Sequence, residues 1–476
     1  MDGTTYVLNS DGFSESGKTC DAPHKLQMPA ATRSISCGRV HSNTLDANGH
    51  IWTFLNFGRP FKLSSPLLDG SSRDSSPLQI ECGWSFSSVL TQGGDVFVWF
   101  PFAGNMAALI ENKYREMDQQ GDKKAKSVDG VIPCITWELS MDPFRLPSLP
   151  SLPKLSNSGS AENEPRLIKI AALDQHIIGL TNQGHVLKYG SLQDETKAVR
   201  GRWEYLPNFS EAKRVREHPV FAPDAGSETD KRIDAPTDMQ ITHISAHFRH
   251  FVAYSTGSSS IVLIGETDAG PQGQPRIDPE GQPQIIPALQ NRSVISVVLG
   301  DYHYGALTAS GELFTWGAYS KGALGLGDPA TLPIGAPGGF ANEAQLQQAV
   351  DRNHGIPPDV KEPTLVSFDQ DKSKPRKRFC FSVAASGWHM GALAFDLEPN
   401  PDGDDSDSGA EVSNDPEGRD THGSYPVPLP QPPFTSHGPG QVPILPLSSV
   451  FRVGLAGRDA SQQGSSSSSG HHNQPM

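Results

Sequence analysis

Hydrophobic and polar positions along this chain alternate in short bursts, and the bursts repeat. Val294–Gly327, VISVVLGDYHYGALTASGELFTWGAYSKGALGLG, holds the fullest version. Its order is an apolar strand, a Gly-x-x-His turn, a small-residue strand, a tight hairpin, an aromatic strand and a glycine-rich turn. Ile35–Phe54, Ile80–Trp99, Ile170–Gly190 and Ile244–Gly265 repeat that order, and Val383–Asp396 is a shortened copy. Alternation with period two predicts short strands. The dipeptides Asn48-Gly49, Gly93-Gly94, Gln183-Gly184 and Ser310-Gly311 predict hairpins, hence antiparallel pairing.

The turn histidine, or the residue in its slot, falls at His41, Phe86, His176, His250, His303 and His389, giving intervals of 45, 90, 74, 53 and 86 residues. A unit of about fifty residues, interrupted by insertions, explains these intervals and is the period of a propeller blade. The expected fold is all-β: a β-propeller of about six to seven four-stranded blades over residues 1–396, with insertions near 101–165, 191–238, 266–290 and 318–378. Nothing alternates strand with long helix, so a parallel α/β sheet is excluded. In the first insertion Met106, Leu109, Ile110, Tyr114 and Met117 share one helical face, with Asn105 as cap and a Glu111–Arg115 pair. That helix either packs on the ring or is offered to a partner. A second short helix is expected at Asn342–Val350. Residues 397–476 are acidic and rich in proline and serine, too poor in apolar surface to offset their ordering entropy, and are expected to be mostly disordered. Val450–Gly457, VFRVGLAG, is apolar enough to dock back as a strand.

Composition narrows the function. Lys+Arg 39 against Asp+Glu 53 gives a net charge of −14, which argues against nucleic acid and anionic membranes as partners. Hydrophobic residues at 36% are few for a fully packed chain, and 47 glycines with 40 prolines favour turns. Five cysteines are too few for a disulfide framework, and Cys37 and Cys82, in the same slot of successive copies, read as buried apolar residues. The start, MDGTTYVLNSDG, carries no signal pattern, and no apolar run reaches about 18 residues. The expected location is cytoplasmic and/or nuclear, and the glycosylation-like triplets at Asn208 and Asn291 read as chance.

The repeated residues read as architecture. Gly38, Gly83 and Gly300 permit close approach or positive φ, as do Gly317, Gly322, Gly325 and Gly327. Gly305-Ala306 and Gly391-Ala392 keep the inner strand slim, and Trp52, Trp99, Tyr189 and Trp316 pack between blades. His41, His176, His250, His303 and His389 would be spread around a ring, one per copy, which does not suit a metal; Phe86 in the same slot cannot ligate. They read as structural histidines bonded to backbone. GFSESGKT (Gly12–Thr19) matches the phosphate-loop pattern, but Pro23 and Pro29 follow it where a helix should start. Asp174 and Asp301 read as solvated loop charges. No catalytic, cofactor-binding or metal-binding residues are assigned, and the chain is read as non-enzymatic with no cofactor.

The cassette resembles the regulator-of-chromosome-condensation repeat family. Val294–Gly327 matches its pattern throughout, while Leu173, His247 and Ser386 stand where glycine is expected. The likeness covers about Thr4 to Asp396 without the insertions. It implies a ring closed by both chain ends, with Tyr6–Asn9, alone or together with Val450–Val453, completing the blade of Val383–Phe395, or else a seventh blade within an insertion. Ile51–Asp69, with NSDGF and FRVGLAGRDA, is similar to fungal F-box proteins of the SCF-associated-factor type, although no F-box-like segment precedes Thr4. The resemblance implies protein partners: substrates and subunits of a Skp1–cullin–F-box ubiquitin ligase, or alternatively a small GTPase of the Ran type undergoing guanine-nucleotide exchange.

Overall fold

The computed structural model describes residues 4–7, 24–56, 58–120, 129–155, 164–222, 233–269, 275–319, 322–352, 355–368 and 377–397. Gly12–Thr19 and Val450–Gly457 lie outside them.

Six antiparallel sheets follow one another along the chain. Sheet 1 runs Thr32–Cys37, Ser42–Asp46, Ile51–Phe54, Phe61–Ser64, with Trp137–Ser140 added in parallel at its outer edge. Sheet 2 is Pro77–Cys82, Ser87–Thr91, Val96–Trp99 and Phe144–Arg145. Sheet 3 is Leu167–Ala172, Ile177–Thr181, Val186–Tyr189 and Trp203–Tyr205. Sheet 4 has three strands, His243–His247, His250–Tyr254 and Val262–Glu266, and sheet 5 has four, Val294–Leu299, His303–Thr308, Leu313–Gly317 and Val360–Leu365. Sheet 6 pairs Arg378–Ser386 with His389–Asp396. The first strand of each sheet lies against the first strand of the next, which is propeller geometry.

Alternation along each strand sends its side chains to both neighbours, so the core is a series of layers between sheets. Leu45, Ile51 and Phe61 meet Ile80, Val89 and Phe97 between sheets 1 and 2. Ile178, Leu180 and Val186 meet Ile244, Phe251 and Leu263 between sheets 3 and 4. Trp52, Trp99, Tyr189 and Trp316 are all buried, as their recurrence implies. Their polar tips are satisfied where they must be: Trp99 Nε1 donates to Thr53 Oγ1 (3.4 Å) in sheet 1, and Tyr189 donates to the Ala198 carbonyl (2.7 Å).

The chain start departs from expectation. Thr5–Val7 does not complete sheet 6; it pairs with His24–Gln27, which in turn pairs in parallel with Val131–Pro133 from the first insertion. This three-stranded sheet sets Leu26 and Ile132 against Trp52 and Phe54. Those two residues alternate with Ile51 and Thr53, which face sheet 2, so the extra sheet covers the opposite face of sheet 1, where a seventh blade would sit. Sheet 6 gains no third strand among the described residues, and Phe381, Leu393 and Phe395 are exposed on it.

The helix of the first insertion spans Gly104–Gln119. Its cap position is Ala103, without a side-chain cap, so Asn105 lies inside the first turn and not at the cap. Met106 and Ile110 are buried with Tyr114 against sheets 1 and 2, Met117 is buried as well, and Leu109 is exposed. Arg59 pairs with Asp118 at 2.8 Å and its carbonyl accepts from Tyr114 (3.2 Å), so the helix packs on the ring. The second helix spans Glu343–Arg352, with Asn342 Oδ1 accepting from the Gln345 amide at 2.9 Å.

Candidate interaction face

The turns joining the first two strands of every sheet converge at the axis on one face. They are Gly38–His41, Gly83–Phe86, Leu173–His176, His247–His250, Gly300–His303 and Ser386–His389. A Cβ on Gly83 would meet the Phe86 ring at 2.0 Å, and one on Gly300 the His303 ring at 2.2 Å. Close approach of a ring, not positive φ, therefore fixes these two glycines. At Gly38 the obstacle is the Gly83 carbonyl oxygen of the next sheet, 2.2 Å away. Where the turn lacks its glycine the ring rests elsewhere: His176 lies against Gly190, where a Cβ would come within 2.9 Å.

The turn histidines tie neighbouring sheets together. His41 Nε2 hydrogen-bonds Ser87 Oγ of sheet 2 (2.8 Å), and His303 Nε2 donates to the His389 carbonyl of sheet 6 (3.3 Å). His41 thus has a side-chain partner in Ser87 besides its bond with the Phe86 backbone, the kind expected from the sequence. Burial pushes His41 and His176 down to about 4, so both imidazoles are neutral at physiological pH. The four described free cysteines include Cys82 and Cys380, both buried, whose thiols burial pushes up.

The middle residues of the turns form the face itself. Backbone bonds link them from sheet to sheet: the Trp84 amide donates to the Asp174 carbonyl (3.0 Å), the Asp174 amide to Phe248 (3.0 Å) and the Asp301 amide to Gly387 (2.7 Å). Arg39 spans the axis. Its guanidinium lies 5.0 Å from the Trp84 ring centre and 4.8 Å from that of Phe248, and Nη1 reaches Asp301 Oδ2 at 2.5 Å. Asp301 is 1% exposed and also takes a hydrogen bond from His247 Nε2 (3.0 Å). Burial alone would raise its pKa, but the bonds from His247 and Arg39 hold it below the usual carboxylate value. Tyr302 packs edge-on against Phe248 (5.7 Å) and Trp388 (5.8 Å), which continues the aromatic cluster to sheet 6.

Phe248 carries a backbone signature. Its φ is 53°, in the left-handed region, while the matching position of sheet 6 is Gly387 at φ 54°. A phenylalanine in a conformation that suits glycine costs about 1–2 kcal/mol, and such strain collects at functional sites.

Asp174 and Asp301 are not solvated loop charges, contrary to the sequence reading. Asp301 is buried in an ion pair, and burial pushes Asp174 up to about 7 against the opposing pull of Arg39. Asp174 lines a cleft of about 500 Å³ with Trp84, Ser85, Gln175, Gln193, Phe248, Arg249 and Pro275. The missed signal is positional: one slot of the turn holds Arg39, Trp84, Asp174, Phe248, Asp301 and Gly387, opposite charges and aromatics that only a ring closing on its axis brings together.

The successive sheets, their Gly-x-x-His turns and the relatives below define the class: a repeat propeller similar to the regulator-of-chromosome-condensation repeat family. The chain is similar to SCF-associated factor 1 of Saccharomyces cerevisiae, with 35% identity over 364 residues, 76% of this chain and 42% of that protein. The chain therefore spans less than half the length of that relative. Shorter likenesses reach the Ultraviolet-B receptor UVR8 of Arabidopsis thaliana (33% over 97 residues, 20% of this chain and 22% of the receptor) and the human E3 ubiquitin-protein ligase HERC2 (33% over 105 residues, 20% and 2%). Among solved structures, human WBSCR16 overlaps 82% of this chain and 81% of its own at 17% identity and a TM-score of 0.44. Yeast RCC1 (Prp20), solved with Kap60, overlaps 77% and 68% at 16% identity and a TM-score of 0.41. No family model matches the chain. Among the described residues no helix is long and apolar enough to cross a membrane.

Proposed function

We propose that this chain is a non-enzymatic protein-interaction propeller that recognises substrates for a Skp1–cullin–F-box ubiquitin ligase pathway. The observation that carries the interaction reading is the axial face. Trp84, Tyr302 and Trp388 are 41%, 46% and 42% exposed in one connected cluster around Arg39. Exposed aromatics grouped with arginine are the residue types that dominate binding hot spots. The ligase link is supported by the likeness to SCF-associated factor 1 along 76% of the chain. A net charge of −14 favours proteins over nucleic acid or anionic membrane as partners, in the cytoplasm and/or nucleus.

Affinity capture from cells, followed by measuring the lifetimes of captured proteins, tests this reading. Capture of Skp1 or a cullin, with client proteins whose lifetime lengthens when the chain is depleted, supports it. Faster nucleotide release from a Ran-type GTPase, with no ligase subunit captured, replaces it with the exchange reading.

A further inference from the structure

Resting on that reading, we infer that the cleft beside the axis takes a cationic side chain, lysine or arginine, of a partner protein, with Asp174 as its counter-charge. The two axial carboxylates differ in what surrounds them. Asp301 has its ion pair with Arg39 and a bond from His247. The Asp174 carboxylate receives no hydrogen bond from the described residues; only its backbone amide and carbonyl are engaged, with Phe248 and Trp84. It stands in the wall of an open cleft of about 500 Å³ between the indole of Trp84 and the ring of Phe248.

The neighbouring cations are already committed. Arg39 is bonded to Asp301, and Arg249 Nη2 donates to the Thr267 carbonyl at 3.2 Å. The charged groups facing Asp174 are Arg39 from sheet 1, Asp301 from sheet 5 and Arg249 from its neighbouring turn in sheet 4; burial raises its carboxyl to about 7 against the pull of the two arginines. Asp174 is thus the one carboxylate lining the cleft, without an ion-pair partner among the described residues, and the aromatic walls beside it suit a desolvated cation. An ammonium or guanidinium entering here would favour the ionised form of Asp174, so binding would expel a proton below pH 7. The strained φ of Phe248 (53°) keeps one of these walls at the cleft, where glycine would leave a gap.

The test is a titration of the whole chain with N-acetyl-lysine methylamide and N-acetyl-arginine methylamide, read at the Trp84 indole resonance, with N-acetyl-norleucine methylamide as the uncharged control. We expect a saturable shift with one or both basic probes and none with norleucine. Affinity should fall about tenfold per pH unit below 7 as Asp174 takes up its proton. Asp174→Asn, checked for folding by circular dichroism, should abolish the response. Equal shifts with norleucine, or an undiminished response in the Asn variant, would overturn the inference, and the better probe assigns lysine or arginine. If partner capture survives Asp174→Asn but is lost on Trp388→Ala, the cation site fails while the interaction reading stands. If capture survives both, the interaction reading itself fails.

Discussion

Arg39, in the first turn of the propeller, crosses the axis to Asp301 in the fifth, a contact between residues 262 positions apart with Nη1 2.5 Å from Oδ2. The pair joins sheets that share no strand, and its guanidinium is held between Trp84 and Phe248. Removing one member leaves a buried carboxylate underpaired. Arg39→Ala should destabilise the fold by about 2–3 kcal/mol, below the range of about 3–5 kcal/mol for a fully buried pair, because Asp301 keeps His247. Chemical denaturation of Arg39→Ala, Asp301→Asn and the double variant should show coupling of about 1–2 kcal/mol between them.

Two glycine substitutions should separate close approach from mere flexibility. A Cβ at Gly300 would sit 2.2 Å from the His303 ring, whereas one at Gly391 meets nothing within 4 Å. Gly300→Ala should cost about 1–3 kcal/mol by overpacking, and Gly391→Ala should stay within about 0.5 kcal/mol of the parent. Equal effects in thermal melts would contradict the packing argument.

Titrating groups at the axis pull stability in opposite directions. Asp174, raised to about 7, holds its proton more tightly when folded, so it costs stability as pH rises from about 4 to 7. Asp174→Asn should therefore be more stable than the parent at pH 8, by about 1–2 kcal/mol after discounting for solvent access, and equal to it at pH 4. His41 and His176, lowered to about 4, contribute stability that is present above 6.5 and is lost as pH falls toward 4. Imidazole titrations by NMR should find both neutral at pH 5.5.

Phe248→Gly replaces a strained aromatic with the residue that sheet 6 uses at the same φ. Relief of backbone strain and loss of the Arg39 contact offset each other, so stability should change by less than about 1 kcal/mol. Binding of partners should fall at least tenfold. A large loss of stability in denaturant would show that Phe248 serves the fold and not the face.

The ring was legible because each sheet writes the same alternation, hairpin and turn into its own fifty or so residues. Trp99 and Tyr189 could be placed between blades from recurrence alone. Closure was not legible: whether Thr5–Val7 meets sheet 6 or His24–Gln27 depends on apolar faces contributed from distant segments, Trp52 on one side and Ile132 on the other. The axial face was also hidden. Asp301 and Asp174 look like ordinary loop charges until the turns are brought to one axis, and only then does Arg39 become the partner of one and not the other.

The central claim is that function resides in the axial face. Its most direct test is quantitative affinity capture by the parent chain, by Tyr302→Ala with Trp388→Ala, and by Glu312→Ala on a peripheral hairpin as control. Both aromatics are more than a third exposed, so the double variant should fold normally. The account predicts that specific partners are lost from the double variant and retained by the control. Retention of the same partners by the double variant, at parental levels, would contradict it.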